Sequence, residues 1–233
     1  MRRIHSRFGR AMSWLGWLCA ACAVQLPTPA EGRTHPRLFG SYEFYSTAMT
    51  HFPRWTEMLD RQRREATDCR TATCTSEGWL PLVAQLEGKP LDAQLREVND
   101  LINARRYVLD KDNWSDPDHW ATPYEFLRKN GDCEDFAIAK YMALKAVGVP
   151  ISTMRVVVLW DSKLKVGHAA LVVYVRGETF LLDNRIAGVV RADTVGHYRA
   201  IYSINETGWW LHAYVVHAPP RILVISARHN NGG

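Results

Sequence analysis

The chain has 233 residues, of which 47% are apolar and 23% charged, and its formal net charge is +5. This length allows one main folded domain, and the ordinary composition excludes wholesale disorder, a collagen and a coiled coil. The residues after position 30 carry 25 basic and 24 acidic side chains, so their net charge is only +1. Because a nucleic-acid-binding domain keeps its excess positive charge in the folded part, we expect no nucleic-acid partner.

Residues 1–30 have the pattern of a secretory signal peptide. Arginines at the start are followed by an uncharged, mostly apolar run, Ala11–Leu26, and then by prolines and small residues. The alternatives are a membrane anchor, for which the run is shorter than the usual span of about 20 residues, and lipid attachment at Cys22. We expect an exported, periplasmic protein in which residues 31–233 form a single domain.

Export changes the interpretation of the cysteines, because disulfides form in oxidising compartments. Cys69 and Cys74 lie close together in a polar stretch, where they could form a disulfide or be two exposed thiols. Cys133 then has no partner, and an unpaired thiol in an exported protein indicates a special role.

The first half of the chain has helical patterns and the second half has strand patterns. The predicted helices cover 53–66 and 91–108, and a third begins at Asp132 and stops near Gly148, after an ordered loop over 110–123. The predicted strands cover 154–160, 168–175, 179–183, 198–204 and 209–216, with turns at 176–177 and 205–208. Helices followed by antiparallel strands indicate an α+β domain.

Cys133 stands in the first turn of the third predicted helix, where free backbone N–H groups and the helix dipole favour a thiolate. His168 opens one predicted strand and Asp183 closes the next, so a hairpin could bring them together at one rim of the sheet. The three residues would then form a triad of nucleophile, general base and orienting carboxylate. The spacing also permits a buried structural cysteine with capping aspartates, an edge histidine and a turn aspartate.

The short sequence motifs that contain these residues are more specific evidence for a family than the spacing of the residues along the chain. They are Trp120-Ala-Thr-Pro123, Gly131-Asp-Cys-Glu-Asp-Phe-Ala-Ile-Ala-Lys-Tyr141, Gly148-Val-Pro150, Gly167-His168 and Leu182-Asp-Asn184, in this order. This series resembles the bacterial transglutaminase-like cysteine proteinases of the LapG type. The resemblance covers about residues 97–210, whereas 35–90 and the C-terminal tail match loosely. The small residues that follow His168 depart from the family, whose members usually have a bulkier neighbour there.

The resemblance implies a papain-like, transglutaminase-like core with Cys133, His168 and Asp183 as the catalytic triad. It further implies a periplasmic endopeptidase that needs calcium and cuts the N-terminal region of a large surface adhesin. Such cleavage releases the adhesin and disperses biofilm. Members of the family are inhibited by an inner-membrane cyclic-di-GMP receptor of the LapD type.

The resemblance also implies that the carboxylates flanking the cysteine bind calcium, which assigns Asp132 and Glu134 as ligands and Asp135 as a third. Calcium takes six to eight oxygen ligands, and a cation would relieve the repulsion among these three side chains. Helix capping by solvated acids explains the same pattern without a metal.

Two other functions are compatible with the same residues. Acyl transfer of the transglutaminase type uses the same triad but forms amides, and a binding module would have an inert, buried Cys133. For an oxyanion hole, the backbone N–H of Cys133 is one natural donor and Trp120 is a candidate for the second.

Overall fold

The computed structural model describes residues 35–71 and 78–215, without the side chains of 67–71. The expected signal peptide, Cys22, the Cys69–Cys74 pair and the C-terminal tail therefore lie outside the described residues. All described residues belong to one compact unit. Within these ranges, no helix has both the length and the apolar character needed to cross a membrane.

The described part of the chain contains six α-helices. They are α1 (Pro53–Thr71), α2 (Trp79–Leu86), α3 (Leu91–Asn103), α4 (Asp110–Asn113), α5 (Pro123–Lys129) and α6 (Cys133–Ala146). Helix α6 is the centre of the molecule, since every residue from Asp135 to Leu144 is buried. It packs between α3 and α5 on one side and strands β2 and β3 on the other.

Seven strands of the described chain form one antiparallel sheet. They are β1 (Tyr42–Ser46), β2 (Met154–Asp161), β3 (Val166–Val175), β4 (Glu178–Leu182), β5 (Val189–Arg191), β6 (Tyr198–Asn205) and β7 (Gly208–Ala213). Their order across the sheet is β1-β7-β6-β2-β3-β4-β5, and each neighbouring pair is antiparallel. The α+β fold with helices packed on an antiparallel sheet is thus confirmed.

The two faces of the sheet have separate apolar cores, because side chains alternate between the faces along each strand. Leu171 and Val173 of β3 pack with the helices. Ala170 and Val172 face the opposite side, where they pack in a second cluster with Leu38 of the N-terminal segment. The helices therefore cover one face, and short irregular segments cover the other.

Strand bounds shift from the sequence prediction by up to three residues, as at β7, which ends at Ala213 and not at 216, and the helical half differs in three further places. Helix α3 ends at Asn103 rather than 108, because Tyr107 forms a parallel bridge with Gly131 and the next N–H donates to the Gly131 carbonyl at 2.9 Å. This pairing straightens the chain beyond the helix. Helix α1 continues to Thr71, and the expected loop over 110–123 includes the short helix α4.

Candidate active site

The start of helix α6 is held by Asp135, which lies one turn into the helix. Its Oδ2 accepts the N–H of Asp132 at 3.2 Å, and its Oδ1 accepts the N–H of Ala121 at 2.7 Å. Gly131 leaves room for this carboxylate, since a Cβ there would lie 2.0 Å from Asp135 Oδ2. The position of Cys133, the first residue of the helix, is therefore fixed by backbone contacts on both sides.

His168 and Asp183 form a buried pair at the edge of the sheet. His168 Nε2 lies 2.9 Å from Asp183 Oδ1, and both side chains are fully buried. The Asp183 carboxylate also accepts the hydroxyl of Tyr198 at 2.9 Å and the N–H of Arg185 at 2.7 Å. Burial alone would raise the pKa of Asp183, but these hydrogen bonds and the charge of His168 outweigh it, and the pKa is lowered. Asp183 is therefore a firmly ionised partner for the imidazole.

The other ring nitrogen of His168 is the one available for chemistry. Its Nδ1 is buried and has no hydrogen-bond partner among the described residues. With a carboxylate as the partner of Nε2, the ring carries its proton there, and Nδ1 has a free lone pair. The pair thus presents a basic nitrogen held in a fixed tautomer.

Cys133 and His168 line the same cavity, which has a volume of about 450 Å³. The Cys133 thiol donates to Glu134 Oε2 at 3.3 Å, and Ala169, the neighbour of His168 on β3, lines the same cavity. Burial raises the pKa of Cys133, and the charges of Glu134 and Asp132 raise it further. Cys133 is a free thiol in the described chain. A buried thiol of this kind needs a nearby base to become a nucleophile.

Five carboxylates converge beside the cysteine. Asp110, Asp118 and Glu134 each have an oxygen within 4.8 Å of the other two, and so do Asp110, Asp132 and Asp135. Calcium lies 2.3–2.6 Å from its oxygen ligands, so oxygens about this far apart can share one ion. Asp110 Oδ1 and Asp132 Oδ1 are buried without a hydrogen-bond partner among the described residues. These unpaired oxygens and the all-oxygen donor set fit a hard cation.

The electrostatics of this cluster agree with that fit. Burial first, and then the hydrogen bond and charge of Glu134, raise the pKa of Asp132 to about 8. Burial and the charge of Asp132 raise the pKa of Asp110 to about 6. The pKa of Glu134 and of Asp135 is also raised, above all by burial. The carboxylates need either protons or a cation to be stable together.

The sequence prediction identified only part of this cluster. Asp132 lies near Glu134 in one group and near Asp135 in another, and both Asp135 oxygens already accept backbone N–H groups, so their role as calcium ligands stays a prediction. Asp110 and Asp118 were missed, because acidic residues are ordinary in a polar loop. Four aspartates within nine residues, 110–118, were the signal that could have indicated a cation-binding loop.

Trp120 lies beside the cavity, as expected for a candidate oxyanion donor. Its indole Nε1 donates to Asp118 Oδ1 at 3.3 Å, so in this structure the donor is engaged by a carboxylate. The role of Trp120 in an oxyanion hole stays a prediction. Tyr198, which sequence reasoning also missed, has no local signal because its contact with Asp183 comes from a distant strand.

A thiol at the start of a buried helix and a buried His–Asp pair on the adjoining antiparallel sheet define a cysteine hydrolase with a transglutaminase-like core. The chain belongs to the family described as bacterial transglutaminase-like cysteine proteinase, whose model matches residues 60–215. No curated protein matches the chain significantly. The membership confirms the predicted family and a cysteine proteinase.

Solved structures of Legionella pneumophila LapG are similar to this chain. The EGTA-treated protein is 34% identical, with a TM-score of 0.53, over 57% of this chain and 74% of that one. The calcium-bound protein is 30% identical, with a TM-score of 0.54, over 66% of this chain and 87% of that one. The predicted resemblance to the LapG type is therefore confirmed.

Proposed function

We propose that the chain is an exported, calcium-dependent cysteine endopeptidase that cleaves the N-terminal region of a large cell-surface adhesin. The observation that carries the proposal is the buried His168–Asp183 pair at 2.9 Å, beside the cavity that Cys133 lines. Family membership supports the protease activity. The signal-peptide pattern of residues 1–30 supports a periplasmic location. The similarity to LapG supports an adhesin as the substrate, and with it the release of the adhesin and the dispersal of biofilm.

The three residues have complementary roles in the proposed mechanism. His168 Nδ1 accepts the thiol proton of Cys133, and the sulfur attacks the scissile carbonyl carbon. The backbone N–H of Cys133 stabilises the oxyanion, and His168 returns its proton to the leaving amine. Water, deprotonated by His168, then hydrolyses the thioester. Asp183 orients the imidazole and stabilises its protonated form throughout.

Calcium would be held by Asp132 and Glu134 from the start of α6 and by Asp110 and Asp118 from the facing loop, with Asp135 as a further oxygen source. Bound there, the ion supplies positive charge that neutralises the carboxylates and fixes the first turn of α6. One LapG structure is described as calcium-bound, which supports this assignment. Magnesium should substitute poorly, since it demands a smaller, octahedral site.

The test is incubation of the purified protein with N-terminal adhesin fragments from the same genome, with calcium or with EGTA. EGTA should slow cleavage about a hundredfold, because a displacement of about 1 Å costs that much, and added calcium should restore it. Asp132→Ala, Glu134→Ala and Asp118→Ala should mimic EGTA even in excess calcium. Asp112→Ala is the matched control, since this exposed carboxylate lies in the same loop but outside the cluster.

Isothermal titration of each variant with calcium separates binding from catalysis. The three cluster variants should lose calcium binding, and Asp112→Ala should keep it. A wild-type protein that binds no calcium, or that cleaves at full rate in EGTA, contradicts the metal assignment. An adhesin fragment that stays intact while calcium binds contradicts the substrate.

We extend the proposal to regulation by an inner-membrane cyclic-di-GMP receptor of the LapD type, which the family resemblance supports. The periplasmic domain of such a receptor from the same genome should form a complex with the protein and slow adhesin cleavage. Cleavage at an unchanged rate with the receptor domain in excess contradicts this regulation.

A further inference from the structure

Lys140 is a charged side chain in the core of the molecule that the proposed mechanism does not use. It lies in the middle of α6 with 0% exposure, and its Nζ has no hydrogen-bond partner among the described residues. Lysine is almost never fully buried without a partner, because an ammonium group loses its hydration there. The position of this side chain therefore needs a physical explanation.

The geometry of α6 directs Lys140 towards the candidate active site. Cys133 and Lys140 are about two helical turns apart, so they lie on the same face of the helix. Side chains on a helix tilt towards its N-terminus, where Cys133 lies. The long side chain of Lys140 thus runs back along α6 towards the end that carries the thiol.

Two carboxylates act on Lys140 from the neighbouring elements. Burial lowers its pKa to about 7, while the charges of Asp183, which follows β4, and of Asp100 on α3 act in the opposite direction. Asp183 is fully buried, whereas Asp100 is exposed. Because water screens the exposed carboxylate, Asp183 is the stronger partner of the ammonium group.

Helix α3 makes the space between Asp183 and α6 polar. Asn103 donates from Nδ2 to the Asp183 carbonyl at 2.8 Å, and Asn99, one turn earlier, is fully buried. The side-chain oxygens of Asn99 and Asn103 are buried without a hydrogen-bond partner in the described chain. Since α3 packs against α6, these oxygens place partial negative charge at the interface of the two helices. Such surroundings favour a cation over an apolar side chain.

Other groups face the site, but none of them is a buried cation beside Asp183 in the described ranges. Tyr198 donates its hydroxyl to Asp183, and burial and the Asp183 charge raise the pKa of this tyrosine, so it is neutral. Arg185 donates its backbone N–H to Asp183, but the residue is exposed. The cavity adds further titratable groups, which are His51, Arg54, Asp118, Cys133 and Glu134. Lys140 is thus the buried group that can balance the Asp183 charge.

We propose that Lys140 is a positioning residue of the active site, whose ammonium group keeps Asp183 ionised and sets the pH at which His168 is a free base. While His168 is neutral, Lys140 supplies the opposite charge that a buried carboxylate needs. While His168 is protonated, the same ammonium group repels the imidazolium, which then gives its proton to the leaving amine more readily. This inference rests on the proposed endopeptidase function and adds a residue to its proton transfer.

Removal of the ammonium group should make the His168–Asp183 pair hold its proton more tightly. A positive charge beside the pair disfavours the protonated form, so its loss raises the pH at which the pair takes up a proton. Because the two groups are coupled, this midpoint belongs to the pair. Lys140→Met keeps most of the side-chain length without the charge, and the midpoint should rise by at least about one pH unit.

Histidine NMR measures this midpoint without a substrate. The protein carries Cys133→Ala, so that no thiol titrates, and ¹³C at Cε1 of its histidines, and calcium is kept in constant excess. The His168 signal is the one that His168→Gln removes. It is followed over the pH range in which histidine titrates, with and without Lys140→Met.

Lys145→Met is the matched control, because it removes an exposed lysine of the same helix. Lys145 pairs with Glu206 at 2.6 Å, away from the His168–Asp183 pair. This variant should move the midpoint by less than about a third of a pH unit, as expected of a screened surface charge. All other charged groups around the site are the same in the proteins compared.

A second measurement needs no substitution of Lys140. With ¹³C at Cε of the lysines in the Cys133→Ala protein, the Lys140 signal, assigned through its backbone, reports whether the side chain is an ammonium group or a neutral amine. It should be an ammonium group at the pH at which the His168–Asp183 pair takes up its proton. It should lose its own proton at a pH near 7.

The results discriminate clearly. An unchanged midpoint in Lys140→Met, an equal rise in Lys145→Met, or a neutral Lys140 at the pH at which the pair takes up its proton overturns the proposal. If the His212 signal shows that Lys140→Met has disturbed the core, the lysine measurement decides. The expected shift in a protein that leaves the adhesin fragments intact would uphold the role of Lys140 while rejecting the adhesin as substrate.

Discussion

Two buried histidines in this molecule show what distinguishes a reactive side chain from a structural one. His168 has a carboxylate partner, Asp183, on Nε2, and its Nδ1 has no partner in the described chain. His212 has a serine on each nitrogen, with Ser41 Oγ at 2.7 Å from Nδ1 and Ser203 Oγ at 2.9 Å from Nε2. Both are almost fully buried, at 2% and 7% exposure. The two histidines are thus equally buried, and they differ in their hydrogen-bond partners.

Proton accounting explains the difference. The hydroxyl of Ser41 donates to the Leu38 carbonyl at 2.8 Å, so it accepts from Nδ1 of His212. The hydroxyl of Ser203 then donates to Nε2, and the neutral ring has no free valence. Burial lowers the pKa of His212 to about 4, against the opposing charge of Glu43. A histidine with both nitrogens satisfied is a core residue, whereas one open nitrogen marks a base.

The largest effect should come from removing the nucleophile. Cys133→Ala should abolish peptide-bond cleavage, a loss of at least about 10⁴-fold. The fold should remain, because the thiol makes one weak side-chain hydrogen bond, to Glu134 Oε2 at 3.3 Å, and α6 is held by Asp135. Cleavage assays and thermal unfolding of the same preparation measure both. Full activity in this variant would refute the protease assignment.

Parallel substitutions of the two histidines test the comparison directly. His168→Gln should lose cleavage at least about 10⁴-fold, because no side chain replaces the base. His212→Gln should cleave within about twofold of wild type but unfold more easily by about 1–3 kcal/mol, the cost of leaving a buried hydroxyl without its partner. Comparable activity losses in the two variants would mean that partner chemistry does not separate their roles.

Asp183→Asn should have an intermediate effect. The amide can still contact the imidazole but does not stabilise its protonated form, so we expect a loss of about 10²–10⁴-fold, the range of a general acid–base contribution. Residual activity should exceed that of His168→Gln in the same cleavage assay. Equal losses would make Asp183 a reacting group and not an orienting one.

The smallest effect on activity and the clearest effect of pH should come from His212. Its folded pKa of about 4 lies below the ordinary value of 6.5, so the unfolded chain binds more protons between these values. The free energy of unfolding should therefore fall as pH drops from 6.5 to 4, by at most about 3 kcal/mol from this group. His212→Gln should flatten this decline in urea titrations, and identical slopes in both proteins would contradict it.

The sequence predicted the parts of the fold whose signals are local. Helix α6 and the strands β2, β3 and β4 each have their own periodicity and stop signals, so their positions were close to those observed. Strand β1 was missed, because it acquires its partner, β7, from the far end of the chain. Helix α2 was also missed, since it is short and has a proline, Pro81, near its start.

The candidate site divides in the same way. Cys133, His168 and Asp183 lie in recognisable sequence motifs. The structure brings His168 and Asp183 into contact. Asp110 and Tyr198 join the site from other segments through tertiary packing alone. The sequence of one chain does not show which residues that are distant in sequence are close in space. Sequence therefore indicated the reactive groups better than the groups that surround them.

Asp135 couples the opening of the loop at Ala121 to the opening of the first turn of α6. One carboxylate joins the first turn of α6 to the loop that carries Ala121, and the missing side chain of Gly131 makes room for it. Separation of the loop from the helix start breaks the Ala121 hydrogen bond and exposes the buried Asp135 carboxylate, so that water competes for its bond to Asp132 as well. The amide hydrogens of Ala121 and Asp132 should consequently exchange with solvent in one opening event. Cys133 and the cavity wall beside Trp120 thus form one cooperative unit, and a partial opening would disable the whole site at once.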